Sequence, residues 1–256
     1  MAKAYFVSDL HLRASKDPLE QAKVAKFLSF LSKLHRDRKQ GNKSAASHLF
    51  LVGDIFDLWI GAHSFFHEQF ASVVQAIEQL AIDGLEIHYF EGNHDLHLLD
   101  FWLEKGVDVH TDAADFKING LKVHVEHGDL INPEDTGYLF LRRFLRTGPL
   151  RFLALNLPSF AVRAIGERAS RVSRQHTSTA KELPVQTIRN LTRQHAERIH
   201  LENKFDLIIT GHVHVVDDFE LAGLEKPARS VNLGSWFDGA RAFQLNEDGS
   251  GDFIEL

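Results

Sequence analysis

Cysteine is missing from all 256 residues, which excludes disulfides, thiolate metal ligands and a Cys nucleophile. That agrees with a reducing compartment. Methionine occurs once and tryptophan three times, against 16 histidines, the outlier of the composition. Long apolar runs are missing too: no uncharged stretch approaches the ~20 residues needed to span a bilayer. The start, Met-Ala-Lys-Ala-Tyr-Phe-Val-Ser-Asp, develops no apolar signal core, because a strand reaches the polar Ser8-Asp9 pair almost at once. The expected location is the cytoplasm. Positive charge is in deficit as well. A net charge of −6 argues against nonspecific nucleic-acid binding by the whole surface, and no nucleic-acid partner is expected. There is no internal repeat and no low-complexity stretch. A hydrophobic content of 44% with 25% charged residues suits a globular chain long enough for one large domain, with or without a sizeable insertion.

What is present is a series of polar clusters in fixed order. They are Ser8-Asp9-Leu10-His11, Gly53-Asp54-Ile55-Phe56-Asp57, Gly92-Asn93-His94-Asp95, His127-Gly128-Asp129 and Gly211-His212-Val213-His214. A lone Asp after a Gly is usually a turn or cap residue, and a lone surface His usually does nothing. Conjunction defeats those readings, because every cluster offers Asp, Asn or His at the apparent end of a strand. Asp9 and His11 are separated by one residue, so an extended segment points both to one face, and His212 and His214 repeat the spacing. Asp54 follows a strand and a glycine, a placement that lets its carboxylate protrude and bridge two ions. Asn93 offers a neutral carbonyl oxygen and His127 an imidazole. This nitrogen and oxygen set suits Mn, Fe, Zn or Mg without choosing among them. Two cations ~3.5–4 Å apart lower the pKa of a bridging water, which then attacks phosphorus in line.

Segments 3–7, 48–52 and 86–90 are short, rich in β-branched or aromatic residues, and run into polar clusters as strands run into functional loops. Between them, 19–39 and 66–81 carry apolar residues at helical spacing: Val24, Phe27, Leu31 and Leu34 in one, Phe66, Phe70, Val73, Ile77 and Leu80 in the other. This alternation predicts a largely parallel α/β sheet, with active residues beyond the carboxyl ends of its strands. Segments 115–118, 121–126, 206–209, 215–220, 228–232, 240–245 and 252–256 read as strands of a second sheet packed on the first. Residues 138–181 break the pattern with nine Lys or Arg, one acid (Glu167) and dense apolar residues such as Phe140, Phe144, Phe152 and Phe160. Pro149 and Pro158 divide this insertion into short helical pieces.

The order Asp-x-His, Gly-Asp-x-x-Asp, Gly-Asn-His-Asp, His-Gly-Asp, Gly-His-x-His resembles the calcineurin-like metallophosphoesterase superfamily. The resemblance implies a single α/β domain over 1–256, a four-layer αββα sandwich, with a helical lid inserted at about 134–203. It also implies two divalent metal ions, with Mn²⁺ expected. Asp9, His11, Asp54 and His214 would hold one, and Asp54, Asn93, His127 and His212 the other. His94 would assist the leaving group or the transition state, making His94 and Asp54 the catalytic pair. Asp57 and Asp95 are read as groups that orient imidazoles.

The stretch 53–61, the run from His127 through Asp135-Thr136-Gly137-Tyr138 and the basic insertion are similar to the UDP-2,3-diacylglucosamine diphosphatases of lipid A synthesis. Members of that group carry Arg where this chain has His94. The resemblance implies cleavage of a sugar-nucleotide diphosphate to UMP and a lipid-linked sugar phosphate. Substrate contacts would then include Asn93, His94, Asp135, Arg171, Ser173, Arg174, Lys181 and His212. A basic, apolar lid suits acyl chains and an anionic membrane surface, so a monomer bound peripherally to the cytoplasmic face of the inner membrane is expected. The alternative is a broader phosphodiesterase or phosphatase acting on another nucleotide diphosphate or lipid phosphate. An inactive scaffold or a nuclease ranks below both, since every expected ligand is present and the net charge is acidic.

Overall fold

A computed structural model of the chain describes residues 3–42, 45–166, 168, 184–221 and 228–256. The first half alternates strand and helix. β1 (Lys3–Val7) leads into α1 (Pro18–Lys39), then come β2 (Ala46–Val52), β3 (Trp59–Ile60), α2 (Ser64–Gln69), α3 (Ala71–Ile82) and β4 (Glu86–Phe90). α1 starts where Asp17 accepts a hydrogen bond from the Leu19 amide at 2.8 Å and Pro18 fixes the first helical position. It ends with Arg36, Arg38 and Lys39 in its last turn, where cations suit the helix dipole.

β5 (Asp95–Leu96), α4 (Leu99–Leu103) and β6 (Asp108–His110) follow, then β7 (Ala114–Ile118) and β8 (Leu121–Val125). The basic insertion holds α5 (Thr136–Leu145), α6 (Gly148–Asn156) and α7 (residues 159–166), and α8 (Val185–Asn203) follows it. The chain closes with β9 (Leu207–Thr210), β10 (Asp217–Leu221), β11 (Ala228–Asn232), a short turn of helix at Trp236–Asp238, β12 (Arg241–Leu245) and β13 (Gly251–Glu255).

Two larger sheets result, with orders β13-β12-β1-β2-β4-β6 and β10-β11-β9-β8-β7. β1, β2, β4 and β6 run parallel, as do β8, β9 and β11. Alternation along β1 and β2 explains the packing. Ala4, Phe6, Phe50 and Val52 join Val123, Val125, Ile209 and Val231 in a cluster shared by both sheets, with Phe6 stacked on Phe50 at 4.5 Å. Tyr5, Val7, Leu49 and Leu51 face the other way, onto Phe27, Leu31 and Leu34 of α1 and Val73, Ile77 and Leu80 of α3. Strands buried on both faces read as unbroken apolar runs. Ala196 of α8 packs with Ile208, Leu221 and Ala228 on the outward face of the five-stranded sheet. Each large side chain buried this way contributes roughly 1.5–3 kcal/mol.

The helix expected over 66–81 is two helices. At Phe70 the backbone leaves helical geometry (φ −114°, ψ 28°) while the ring packs on Phe56 at 4.6 Å. β3, β5 and β6 escaped the sequence reading because two or three residues are too short to show a period. The insertion differs from the rest: α5 and α6 bury no residue fully, and Phe140, Phe152 and Phe160 are 72, 69 and 77% exposed. Among the described residues no helix is long and apolar enough to cross a membrane.

Candidate metal centre

All the polar clusters follow the carboxyl ends of parallel strands, β1, β2, β4, β8 and β9, so one end of both sheets collects them. Asp9 and Asp54 form a buried floor, and Asn93, His212 and His214 stand half-buried above it. His214 Nε2 lies 3.1 Å from Asp9 Oδ1 and 3.1 Å from His11 Nε2. His127 Nε2 lies 3.3 Å from both Asn93 Oδ1 and His212 Nδ1. Asp54 Oδ2 sits between these groups, 3.8 Å from His11 Nε2 and 3.7 Å from His127 Nε2. Ligand atoms of Asp9, His11 and His214 converge within 4.8 Å of one another, and so do those of Asp54, His127 and His212. A further convergence joins His11, Asp57 and His94.

The backbone at these positions is unusual. Asp9, His11, Asp54, His212 and His214 all have φ between 47° and 68°, the left-handed region. Each such residue costs roughly 1–2 kcal/mol, so neighbouring bonds must hold it there. Asp95 does this for Asp54. Its fully buried carboxylate accepts the amides of Asp54 (3.0 Å), Ile55 (2.8 Å) and Gly92 (2.8 Å) and the Tyr89 hydroxyl (2.7 Å). Asp54 Oδ1 in turn accepts the His94 amide at 2.9 Å, and Asp9 Oδ2 accepts the His212 amide at 2.8 Å. Gly92 is obligatory for this approach, since a Cβ there would lie 2.0 Å from Asp54 Oδ1.

Asp57 orients the His94 imidazole, though through its backbone carbonyl, whereas the expectation that Asp95 orients an imidazole needs revision. Asp95 binds backbone amides and a phenol. Asp57 holds His94 through its main chain, with His94 Nδ1 donating to the Asp57 carbonyl at 2.8 Å, while its carboxylate pairs with Arg13 at 3.2 Å. His127 Nδ1 likewise donates to the Val52 carbonyl at 3.0 Å, which turns Nε2 toward Asp54 and Asn93.

Electrostatics fit a cation at this place. Burial works against ionising Asp9 and Asp54, yet contacts with His11 and His214, and the charges of His127, His94 and His11, hold both carboxyls below their usual range. Burial also pulls His127 down, but Asp54, Asp9 and Asp129 outweigh it and push the imidazole up to about 9. Burial and the His127 charge take His212 down to about 4. Among the described residues neither Asp9 nor Asp54 pairs with Lys or Arg. Buried carboxylates with no Lys or Arg partner among the described residues, facing imidazole nitrogens 3.1 Å apart, match the donor chemistry of divalent metal ligands.

Asp135 caps α5, accepting the Tyr138 amide at 3.0 Å, and is exposed. Arg171, Ser173, Arg174 and Lys181 lie outside the described residues. Phe237 was not anticipated: its ring lies parallel to that of His11, 5.3 Å between centroids, and half of it is exposed. No sequence signal marked it, because Trp236-Phe237 carries no metal-ligand type. In the sequence Asp129 stands out only as part of its His-Gly-Asp cluster. It accepts from the Tyr138 hydroxyl at 2.8 Å and from Arg142 Nε at 2.6 Å, tying α5 to the His127 loop.

A family model described as calcineurin-like phosphoesterase matches residues 2–216. The chain belongs to that family, a class of metal-dependent phosphoester hydrolases. Its relatives narrow the class. It is 31% identical over 250 residues to a UDP-2,3-diacylglucosamine hydrolase from Ectopseudomonas mendocina (strain ymp), covering 95% of this chain and 94% of that protein. It is 29% identical over 248 residues to proteins of the same name from Enterobacter sp. (strain 638) and Stutzerimonas stutzeri (strain A1501), covering 95% of each chain.

Proposed function

We propose that this chain hydrolyses the pyrophosphate bond of UDP-2,3-diacylglucosamine, giving UMP and 2,3-diacylglucosamine 1-phosphate. The likeness over 95% of the chain to hydrolases named for that substrate carries the reading. The paired ligand groups around Asp54 supply chemistry that suits it.

In this reading Asp9, His11, Asp54 and His214 would hold one divalent cation, and Asp54, Asn93, His127 and His212 a second, with Mn²⁺ the expected ion. Such a pair supplies Lewis acidity and a water acidic enough to attack phosphorus at neutral pH. Asp54 orients both halves of the site from its held backbone. His94 serves the departing oxygen. Since its Nδ1–H is committed to the Asp57 carbonyl, any proton it delivers leaves from Nε2. Asn93, His94, His212 and Asp135 would contact substrate, together with Arg171, Ser173, Arg174 and Lys181 of the insertion.

The insertion at about 134–203 is read as a lid on a single domain. Its outward Phe140, Phe152 and Phe160, beside exposed Arg143, suit acyl chains and an anionic bilayer surface. A monomer working at the cytoplasmic face of the inner membrane accommodates both. The test is direct: incubate the purified protein with UDP-2,3-diacylglucosamine and Mn²⁺ and measure UMP. No release with Mn²⁺, Fe²⁺, Zn²⁺ or Mg²⁺, together with turnover of a soluble aryl phosphodiester, would favour a broader phosphodiesterase and sink the lipid assignment.

A further inference from the structure

Among the described residues, Arg13, Lys23, Arg142 and Arg146 reach the loops that carry the ligand groups, and they are not equivalent. Lys23 directs its ammonium to the carbonyls of Leu10 (3.3 Å) and His11 (3.4 Å) and to Glu20 (3.1 Å). Arg142 is clasped between Asp129 (2.6 Å) and Asp112 (3.0 Å), with a side chain only 12% exposed. Arg146 lies between Glu91 (3.7 Å), Asp129 (3.9 Å) and the Gly92 carbonyl (3.5 Å), also largely buried. Arg146 Nε–H is buried without an acceptor, and all three side chains are only 12 to 16% exposed.

Arg13 is more open. Its guanidinium meets Asp57 Oδ1 through Nη2 at 3.2 Å and its side chain stays 35% exposed, although its Nε–H faces inward. The Asp57 carboxylate it touches converges with the nitrogens of His11 and His94. The loops themselves fix this neighbourhood, because the Asp57 amide donates to the Leu12 carbonyl at 3.0 Å and His94 Nδ1 donates to the Asp57 carbonyl. A cation with spare donors therefore stands at the rim of the site on the His94 side.

A diphosphate brings two phosphoryl groups to such a site, and only one is attacked. The other still carries negative charge and needs donors. A planar guanidinium matches phosphoryl oxygens with paired N–H groups, whereas an ammonium acts as a point charge. We propose that Arg13 binds the phosphoryl group that is not attacked and so makes the site prefer diphosphates over single phosphodiesters. This rests on the pyrophosphate reading above. Asp57 holds the guanidinium in readiness, and a partly exposed ion pair of this kind contributes little to folding, so truncation should leave the fold intact.

The experiment compares bis(p-nitrophenyl) phosphate, with one phosphoryl group, against P1,P2-di(p-nitrophenyl) diphosphate, with two. Wild type, Arg13→Ala and Arg13→Lys are assayed with Mn²⁺, and bound metal is measured separately. Arg13→Ala should lower the diphosphate-to-monophosphate ratio of kcat/KM about ten- to a hundredfold, the range for losing a charged hydrogen-bond partner. Most of that change should lie in KM for the diphosphate, with metal content at the wild-type level and partial recovery in Arg13→Lys. Equal losses on both substrates, loss of metal, or no change in the ratio would overturn the assignment while leaving the pyrophosphate reading standing. If wild type cleaves only the monophosphate, both fall together.

Discussion

The ligand loops and the helical insertion follow opposite rules within one chain. The loops are polar and buried, and their strained backbone is held by hydrogen bonds such as the Asp95 contacts to Asp54, Ile55 and Gly92. Helices α5 to α7 are basic, apolar and mostly exposed, with Phe140, Phe152 and Phe160 directed away from the protein. Side chains of the first kind fix distances between atoms that must meet a reacting group. Those of the second kind offer area to something outside the molecule. On the proposed function, reaction type would follow from the loops, and substrate choice in large part from the insertion and its border.

The comparison can be broken most forcefully at Asp54. Asp54→Ala should cost on the order of 10²–10³ in turnover or more, the range for removing one electrostatic stabiliser. It should also lower the Mn²⁺ bound per chain, measured by elemental analysis. Full turnover with both metals retained would show that Asp54 is not the shared group.

Stability draws the same line between buried and exposed aromatic rings. Phe50→Ala, in the cluster between the sheets, should cost about 3–5 kcal/mol in urea unfolding. Phe152→Ala should change unfolding by no more than about 0.5 kcal/mol, as for other surface sites. A large loss at Phe152 would mean the insertion packs far more tightly than its exposure indicates.

Asp95 tests whether the loops are held as described. In Asp95→Asn an amide N–H would face the Ile55 amide or the Gly92 amide, and metal affinity should drop about 10–100-fold with the fold retained. Tyr89→Phe removes a single bond and should weaken metal binding several-fold, in line with one hydrogen bond. Unchanged metal binding in both variants would reduce Asp95 to a part of the core.

The smallest expected effect concerns the scaffold beneath both regions. Burial, then the neighbouring His110 charge and to a lesser extent that of His48, takes His88 down to about 4 against the upward pull of Asp108. Between about 4 and the ordinary imidazole value near 6.5, the unfolded chain binds more protons than the folded one. Stability from this group is thus complete above pH ~6.5 and falls as pH drops through that window. His88→Gln should flatten that part of a stability–pH curve measured by thermal unfolding. An unaltered curve would place the acid sensitivity elsewhere.

Much of this division is readable in the primary structure. Runs such as His48–Val52 are apolar because both faces of the strand are covered, and the ligand types appear at the strand ends where the topology collects them. The break at Phe70 was not readable, since Phe66 and Phe70 keep helical spacing while the chain turns between them. Asp95 was misread for a different reason. A carboxylate that accepts backbone amides is spelled the same as one that orients an imidazole, and only the fold distinguishes them. Arg13 gave no signal either, because its spare donors depend on what its neighbours leave unused.

The left-handed backbone at Asp9, His11, Asp54, His212 and His214 also restricts what can ever replace these residues. Asp, Asn and His tolerate that conformation several-fold better than other side chains, and β-branched residues scarcely enter it. The same short alphabet supplies oxygen and imidazole donors to metals. Conformational tolerance and coordination chemistry thus filter substitutions in the same direction, and a drift toward Val, Thr or Ile at any of these positions is barred twice over.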